Sequence, residues 1–202
     1  MVELFVDTDE KFNINPESIK KKITKKTKAI LIVHLYGLPC DMNPIMDIAH
    51  KYNLFVLEDS AECVLSMYKG KMAGTFGDMA SYSFEDSKHI SCGEGGMLTS
   101  NNKDWIEKAK QIRSHGMANR NDHNIVGYNY RMNETAAAIG LVQLKKLDIF
   151  NDKRIRNSLF ILESLKNHPL EWCSIPKLEK YIKHTFFWCP LIINVENGFT
   201  TL

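Results

Sequence analysis

Hydrophobic and polar positions along the first 100 residues follow two different periods. Short apolar runs predict strands at residues 2–6, 29–34, 54–58, 80–84 and 96–100. Between them, Asn15-Pro16 predicts the start of one helix, and Asn43-Pro44 predicts a second helix that continues to about His50. The run 29–34 is continuously apolar and β-branched, which indicates a strand buried on both faces. Strands separated by helices in this order predict an α/β fold with a mainly parallel sheet flanked by helices.

The pattern changes after residue 101. Apolar residues at positions 105, 106, 109 and 112 have helical spacing, and Asn133 can cap a long helix with Ala136 and Leu147 on its apolar face. Helical spacing resumes over about residues 152–165. Residues 116–129 are polar and rich in Asn, Gly and His, which predicts a loop. Prolines at positions 169, 176 and 190 then divide a tail that has a strand-like piece at 191–195.

Composition and charge exclude several classes of protein. The chain has 202 residues, of which 44% are hydrophobic and 25% charged, so it can bury a core and is not generally disordered. A net charge of +2 leaves no strong electrostatic footprint for nucleic acid. The apolar stretch 29–38 is too short to span a bilayer, and the first residues lack the pattern of a signal peptide. We therefore expect neither nucleic-acid nor membrane partners.

Six lysines lie between positions 20 and 28 and leave two interpretations open. The cluster could be a localisation signal or a phosphate-binding patch. It could equally be the solvated end of the first helix, where Lys suits the C-terminal helix dipole. The nearly neutral overall charge favours the second interpretation.

The cysteines favour packing over disulfide or metal chemistry. There are five of them in wide spacing, at positions 40, 63, 92, 173 and 189. An odd count at such spacing does not resemble a secreted disulfide framework, and no pair has the two-residue gap of a zinc knuckle. The cysteines therefore predict no metal site and a reducing, cytoplasmic location.

The first candidate for chemistry is the segment Glu58-Asp59-Ser60-Ala61-Glu62. It follows a predicted buried strand, and ligands in open α/β sheets bind beyond the carboxyl ends of strands. A carboxylate there could meet a cationic group of a ligand. The alternative is that Asp59 caps a following helix.

The second candidate is the segment 81–96, in which Lys88 follows a strand and precedes a Gly-rich turn. A lysine in a walled pocket can lose its proton and form a Schiff base, and Ser83 and Ser87 offer hydroxyls to a phosphate. The turn is not G-x-G-x-x-G and precedes a strand, so it lacks the dinucleotide context. Taken alone, Lys88 could also be a surface lysine.

The third candidate is the segment 126–133, ahead of the Ala-rich helix. Asn129 and Arg131 could contact an anion near the start of that helix. Local rules also allow a polar turn with Asn133 as the helix cap.

Taken in order, these segments resemble the DegT/DnrJ/EryC1/StrS family of pyridoxal-phosphate-dependent sugar aminotransferases of fold type I. The resemblance extends over about residues 5–154. It is carried by the motifs VHLYG (33–37), DM (41–42), EDSA (58–61), GD (77–78), SF (83–84), Lys88, GEGG (93–96), SHG (114–116), GYNYRM (127–132) and AAIG (137–140).

The resemblance implies roles for five residues. Lys88 matches the lysine that forms the internal aldimine with pyridoxal 5'-phosphate and later moves the proton as general base and acid. Asp59 matches the carboxylate that pairs with the pyridinium nitrogen. Glu62 matches a position near the phenolic oxygen of the ring, and Ser83 matches a hydroxyl that binds the cofactor phosphate. Asn129 matches an amide that reaches the phosphate of the neighbouring subunit's cofactor, which implies a homodimer with shared active sites.

The implied reaction transfers an amino group from an amino acid, typically glutamate, to a keto group of a nucleotide-linked deoxysugar. Some relatives dehydrate the sugar instead and carry His in place of the lysine, so Lys88 favours transfer. His34 could line the pocket or be a buried strand histidine that a backbone carbonyl satisfies.

The resemblance also implies a division of the chain. Residues 1–148 would form the cofactor-binding large domain, and residues 149–202 a linking helix and the beginning of a small α+β C-terminal domain. The chain starts well inside the family pattern, so an incomplete sheet is expected to expose apolar surface. A non-catalytic remnant, or a subunit that depends on a partner, is therefore an alternative function. A regulatory role is disfavoured because no helix-turn-helix is visible.

Overall fold

The computed structural model describes residues 3–193. The α-helices are α1 (Pro16–Lys22), α2 (Met42–Tyr52), α3 (Lys103–Arg113) and α4 (Glu134–Asn167). The strands are β1 (Ala29–Val33), β2 (Phe55–Asp59), β3 (Met67–Tyr68), β4 (Lys71–Met72), β5 (Met79–Ser83), β6 (Gly96–Ser100), β7 (Met117–Asn119), β8 (Asp122–His123), β9 (Cys173–Ser174), β10 (Ile182–Lys183) and β11 (Ile192–Ile193).

The central sheet has four strands in the order β1-β2-β5-β6. The first three are parallel, and β6 pairs antiparallel with β5. The predicted fold class is confirmed: the chain is α/β with a mostly parallel sheet flanked by helices. The register places Val33 beside Asp59 and Asp59 beside Ser81, so the carboxyl ends of β1, β2 and β5 meet at one edge.

Asparagine caps begin three of the helices, as local rules predict. The Asn15 side chain accepts the N–H of Glu17 and is followed by proline at the first helical position of α1. The Asn102 side chain caps α3, and Asn133 accepts the N–H of Ala136 at the start of α4. The last turn of α1 holds exposed lysines, which agrees with the interpretation of the lysine cluster as a solvated helix end.

The main core lies on one face of the sheet. Ile30, Ile32 and Val56 point from β1 and β2 toward α2, which buries Ile45 and Ile48 against them. Each such side chain contributes about 1.5–3 kcal/mol when it leaves water, so this layer anchors the parallel strands.

The opposite face of the sheet is largely open, and the prediction that residues 29–34 are buried on both faces is wrong. Leu31 is 61% exposed, Val33 39% and Phe55 50%. Phe55 meets Trp105 of α3 edge to face, with ring centroids 5.1 Å apart. The expected exposure of apolar surface is therefore present. Alternation of exposed and buried positions along β1 replaces the continuous burial that its sequence predicts.

Four local predictions need correction or extension. Residues 3–6 are not a strand, because they join no ladder and Leu4 and Phe5 are exposed; Met1 and Val2 lie outside the described residues. The predicted loop 116–129 contains the hairpin β7–β8. The two helical stretches after Asn133 form one continuous helix, which crosses position 148 without a break. The strand-like piece at 191–195 is β11 as far as it is described, and its last two residues lie beyond residue 193.

All five cysteine thiols are free, and Cys40, Cys63 and Cys92 are buried. Burial raises the pKa of the Cys40 and Cys63 thiols. Within residues 3–193, no three His, Cys, Asp or Glu side chains form a group that could hold a metal ion. No helix in that part of the chain combines the length and apolar character needed to cross a membrane.

Candidate active site

Asp59 and Ser83 end two neighbouring parallel strands at the carboxyl edge of the sheet. Asp59 is the last residue of β2 and pairs in register with Ser81, two residues before the end of β5. Because side chains alternate along a strand, Asp59, Ser81 and Ser83 share one face. Asp59 is half-buried, and its Oδ1 accepts the N–H of Ala61 at 3.0 Å. A turn rather than a helix follows, so the alternative role of Asp59 as a helix cap is wrong.

Lys88 is not a surface lysine. Its side chain is only 17% exposed, and its Nζ lies 3.4 Å from Oε1 of Glu62. The ammonium group also lies 4.5 Å from the centroid of the Phe187 ring. An aromatic face attracts a cation by its quadrupole, so Lys88 is held between a carboxylate and a ring.

Glu62 is held in place by the loop that follows β1. Its second carboxylate oxygen, Oε2, accepts the backbone N–H of Tyr36 at 2.8 Å. Tyr36 has a φ of +60°, which turns the chain sharply. The carboxylate therefore has one oxygen toward backbone and one toward Lys88, and the pair is fixed from two elements.

The turn between β5 and β6 places Lys88 relative to Ser83. The Ser83 hydroxyl accepts the N–H of Glu85 at 3.3 Å, and the N–H of Lys88 donates to the carbonyl of Glu85 at 3.1 Å. At the other end of this turn, a Cβ on Gly96 would lie 2.6 Å from the carbonyl oxygen of Tyr82. Glycine at that position thus allows the two strands to approach closely behind Lys88.

Asn129 lies apart from these residues. Its backbone forms an isolated bridge with Ser114, and its side chain is exposed. Arg131 is also exposed and lies 3.5 Å from the His115 ring. Within residues 3–193, no hydrogen bond or ion pair joins Asn129 to Lys88, Glu62 or Asp59. The structure thus brings Lys88 and Glu62 together, sets Asp59 and Ser83 at the same sheet edge, and leaves Asn129 outside.

His34 is a buried structural residue and does not line an open pocket. Its Nδ1 accepts the backbone N–H of Cys40 at 3.0 Å, so its Nε2 donates to Oε2 of Glu58 at 2.9 Å. The backbone-carbonyl partner proposed for a buried His34 is also wrong, because its partners are a backbone N–H and a carboxylate. These bonds tie the loop after β1 to strand β2.

Glu58 is a fully buried carboxylate with four hydrogen-bond donors. Besides His34, the backbone N–H groups of Gly74, Phe76 and Gly77 donate to it. Burial alone would raise the pKa of Glu58, but the hydrogen bonds from His34 and these amides outweigh it, and the pKa lies below its usual value. Glu58 thus joins three segments directly behind Asp59.

The segment 184–188 is part of the site, although its sequence alone did not indicate this. Its Thr185 N–H donates to the carbonyl of Gly37 at 3.0 Å, and the Thr185 hydroxyl bonds Ser66 at 2.7 Å. Gly37 has a φ of +92°, and a Cβ there would lie 2.7 Å from the backbone nitrogens of Phe186 and Phe187. This close approach places Phe187 under Lys88. The aromatic residues at 186–188 were the one signal in the sequence that could have indicated this role, but they do not reveal that Phe187 contacts Lys88.

Two buried histidines make the stability of the chain sensitive to acid. Burial is the main cause that lowers the pKa of both His89 and His184 to about 4, from an ordinary value of 6.5. At a pH between about 4 and 6.5, the histidines of the unfolded chain bind more protons than those of the folded chain. The free energy of unfolding therefore falls as the pH drops through this range.

We expect the free energy of unfolding to fall steadily over that range, by up to about 1.4 kcal/mol per pH unit for each histidine, and the urea midpoint to fall with it. Equilibrium unfolding at pH 7.0, 6.0, 5.0 and 4.5 measures it. In His184→Gln the dependence should become shallower, because one of the two groups is gone. A midpoint that stays constant from pH 7.0 to 4.5 would contradict the assignment of both rings as buried and neutral.

Comparison with known proteins identifies relatives of this chain. The model of the DegT/DnrJ/EryC1/StrS aminotransferase family matches residues 1–201. A GDP-perosamine synthase of Escherichia coli O157:H7 is 41% identical over 192 residues, which cover 94% of this chain and 52% of that enzyme. The chain spans about half the length of the curated relatives it matches.

Solved structures give the same result. An aminotransferase from Psychrobacter cryohalolentis superimposes with a TM-score of 0.89 at 34% identity, over 96% of this chain and 54% of that one. An E. coli GDP-4-keto-6-deoxy-D-mannose-3-dehydratase, solved with bound hydrated pyridoxal phosphate, has a TM-score of 0.86 at 32% identity, over the same shares of the two chains. The chain therefore belongs to the DegT/DnrJ/EryC1/StrS aminotransferase family, whose enzymes use pyridoxal phosphate as cofactor.

Proposed function

We propose that this chain carries the lysine-bearing part of a sugar aminotransferase site. In this proposal, an amino group passes from an amino acid, most simply glutamate, to a keto group of a nucleotide-linked deoxysugar. The observation that carries it is the position of Lys88, half-buried 3.4 Å from Glu62 and one turn away from the sheet edge that holds Asp59 and Ser83.

The residues present fit pyridoxal phosphate. Asp59 uses Oδ1 for the N–H of Ala61 and leaves Oδ2 without a partner among the described residues, so a carboxylate oxygen is available for a protonated ring nitrogen. Ser83 supplies a hydroxyl on the same face of the sheet for a phosphate oxygen. Lys88 supplies the amine for the aldehyde. When bound, the cofactor supplies an electron sink for the carbon that loses and gains a proton.

Lys88 is the residue that would hold and move that proton. Its Nζ lies against the Phe187 ring and within reach of the Glu62 carboxylate. Glu62 orients the ammonium group, and the Tyr36 N–H fixes Glu62 in turn. The Phe187 ring excludes water from one side of Nζ, which favours proton transfer to a bound group over exchange with solvent.

The choice between transfer and dehydration rests on Lys88. Relatives of both kinds superimpose on this chain, so the fold does not distinguish them. The family resemblance implies His in place of this lysine in the dehydratases, so the presence of Lys88 favours transfer. Asn129, exposed and outside the Lys88 cluster, is consistent with a homodimer in which this amide serves the neighbouring copy's site. A chain that depends on a partner, or that binds cofactor without catalysis, is the alternative.

The experiment that tests this proposal is covalent trapping. We expect the 202-residue chain, mixed with pyridoxal phosphate and reduced with borohydride, to carry one pyridoxyl group on the peptide that contains Lys88, located by mass spectrometry. Lys88→Arg keeps the charge beside Glu62 and cannot form the bond, so its labelling should fall to background. Lys110→Arg, on an exposed face of α3, is the matched control and should label like the unchanged chain.

Two results decide between the alternatives. Labelling that is spread over surface lysines and survives in Lys88→Arg would overturn the proposal. Labelling on Lys88 without amino transfer from glutamate would leave the site assignment intact and favour the partner-dependent alternative.

A further inference from the structure

A cleft beside Lys88 has positive charge on both walls. Lys88 and His89 line one wall, and Lys153 and Arg154 of α4 line the other, around a volume of about 320 Å³. No Asp or Glu side chain lines it. Lys153 and Arg154 have no carboxylate partner among residues 3–193, where the Arg154 guanidinium donates instead to the carbonyl of Phe187 at 3.3 Å. Lys153 and Arg154 therefore place two positive charges without carboxylate partners next to Lys88.

The remaining lining residues are also hydrogen-bond donors or apolar. Ser91 contributes a hydroxyl, Gln143 an amide, and Phe150 an aromatic ring that is about one-third exposed. Gln143, Phe150 and Arg154 are spaced by seven and four residues on α4, so they lie on one face of the helix. The cleft is therefore built by a single helix face opposite the segment 88–91.

His89 adds a second, independent indication of a ligand. Its ring lines the cleft, the residue is only 4% exposed, and its Nδ1 has no hydrogen-bond partner among residues 3–193. Because Nε2 donates to the carbonyl of Thr185 at 3.4 Å, Nδ1 of the neutral ring is a hydrogen-bond acceptor, and a hydroxyl or ammonium donor on a bound substrate molecule would satisfy it. Burial and, after it, the positive charges of Arg154 and Lys88 lower the pKa of this ring, so it stays neutral beside the two cations.

We propose that this cleft binds an oxyanion with two negative charges and thereby places a substrate beside Lys88. The inference rests on the proposed function, whose two substrates both have this chemistry: the diphosphate of a nucleotide sugar and the dicarboxylate of glutamate or its keto acid. Guanidinium and ammonium donors bind such groups through charge-assisted hydrogen bonds.

Binding can be measured without turnover. We expect the 202-residue chain to bind pyrophosphate or GDP, or else 2-oxoglutarate, by isothermal titration calorimetry, with an affinity that weakens as salt increases. Arg154→Gln and Lys153→Gln should each weaken binding at least about tenfold, the loss expected for one charged donor. Arg156→Gln removes a charge from α4 outside the cleft and is the matched control, expected to stay within about twofold.

The probes distinguish the two sources. Preference for pyrophosphate and GDP assigns the cleft to the sugar nucleotide, and preference for 2-oxoglutarate assigns it to the amino donor. Because Arg154 also bonds the chain at Phe187, Arg154→Gln could affect folding. Two variants therefore keep the test decisive. Lys153→Gln changes an exposed position, and Arg154→Lys conserves the charge and should retain most of the affinity.

Three outcomes would overturn the inference. One is the absence of binding by every probe in the folded chain, and another is an equal loss in Arg156→Gln. The third is competition by saturating pyridoxal phosphate, because the cleft would then hold the cofactor's own phosphate. Failure of the proposed function is separate: it shows as missing borohydride labelling of Lys88, whereas oxyanion binding that depends on Lys153 and Arg154 could persist.

Discussion

Glu58→Gln is expected to lower the free energy of unfolding by about 2–6 kcal/mol, because it leaves two buried hydrogen-bond donors without an acceptor. Oε1 of Glu58 accepts two backbone amides, and Oε2 accepts Gly74 and His34. A glutamine amide has one oxygen and one NH2 group, so in either orientation two donors would face a donor. Each buried unsatisfied donor costs about 1–3 kcal/mol, so two of them cost about 2–6 kcal/mol. Urea unfolding at pH 7 measures the change.

Two further variants make this result specific. Glu107→Ala removes an exposed carboxylate that pairs with Lys110 within α3, and it should change the stability by less than about 1 kcal/mol. His34→Asn combined with Glu58→Gln should cost less than the sum of the single changes, because both act on one network. A stability of Glu58→Gln within 1 kcal/mol of the unchanged chain would show that the four donors are satisfied in another way.

Asp59→Asn is expected to slow amino transfer from glutamate by about 10²–10³-fold, the usual cost of removing a preorganised electrostatic contact. Asparagine keeps an oxygen for the N–H of Ala61, so the turn after β2 should persist. Its amide cannot balance a positive charge on a ring nitrogen, which is the role we propose for the carboxylate. Single-turnover absorbance of the cofactor-loaded chain measures the rate.

The control for Asp59→Asn is Asp86→Asn, an exposed carboxylate in the turn that contains Lys88. It should leave the rate within about twofold. Covalent labelling of Lys88 should be retained in Asp59→Asn, which separates a slowed reaction from a lost site. An unchanged rate in Asp59→Asn would remove this carboxylate from the proposed mechanism.

The sequence predicted the fold class because its signals are local. The asparagine caps and the Asn15-Pro16 pair indicated helices that are present, and the apolar runs at 54–58 and 80–84 indicated strands that begin and end within one residue of β2 and β5. Residues 29–34 were assigned correctly as a strand but not as buried on both faces, because burial depends on what packs against a strand. A run of apolar residues does not contain that information.

The candidate site was predictable to a different extent. Asp59 and Ser83 end two parallel strands and Lys88 follows the second, at the edge where a parallel sheet concentrates ligands, so their proximity was predictable. Phe187 and Arg154 contact or line the site from distant parts of the chain, through contacts that no local pattern encodes. The roles of Asp59, Glu62, Ser83, Lys88 and Asn129, and the division of the chain at residue 148, stay predictions.

The open face of the sheet exposes the folded chain to self-association. Most globular proteins must open locally before they present β-strand edges and contiguous apolar side chains to a neighbour. Here β1 is the outer strand of the sheet, and Leu31 and Val33 already lie at the surface of the folded state. Self-association would therefore require no unfolding step, and its rate would depend on how many molecules are present rather than on how stable each one is.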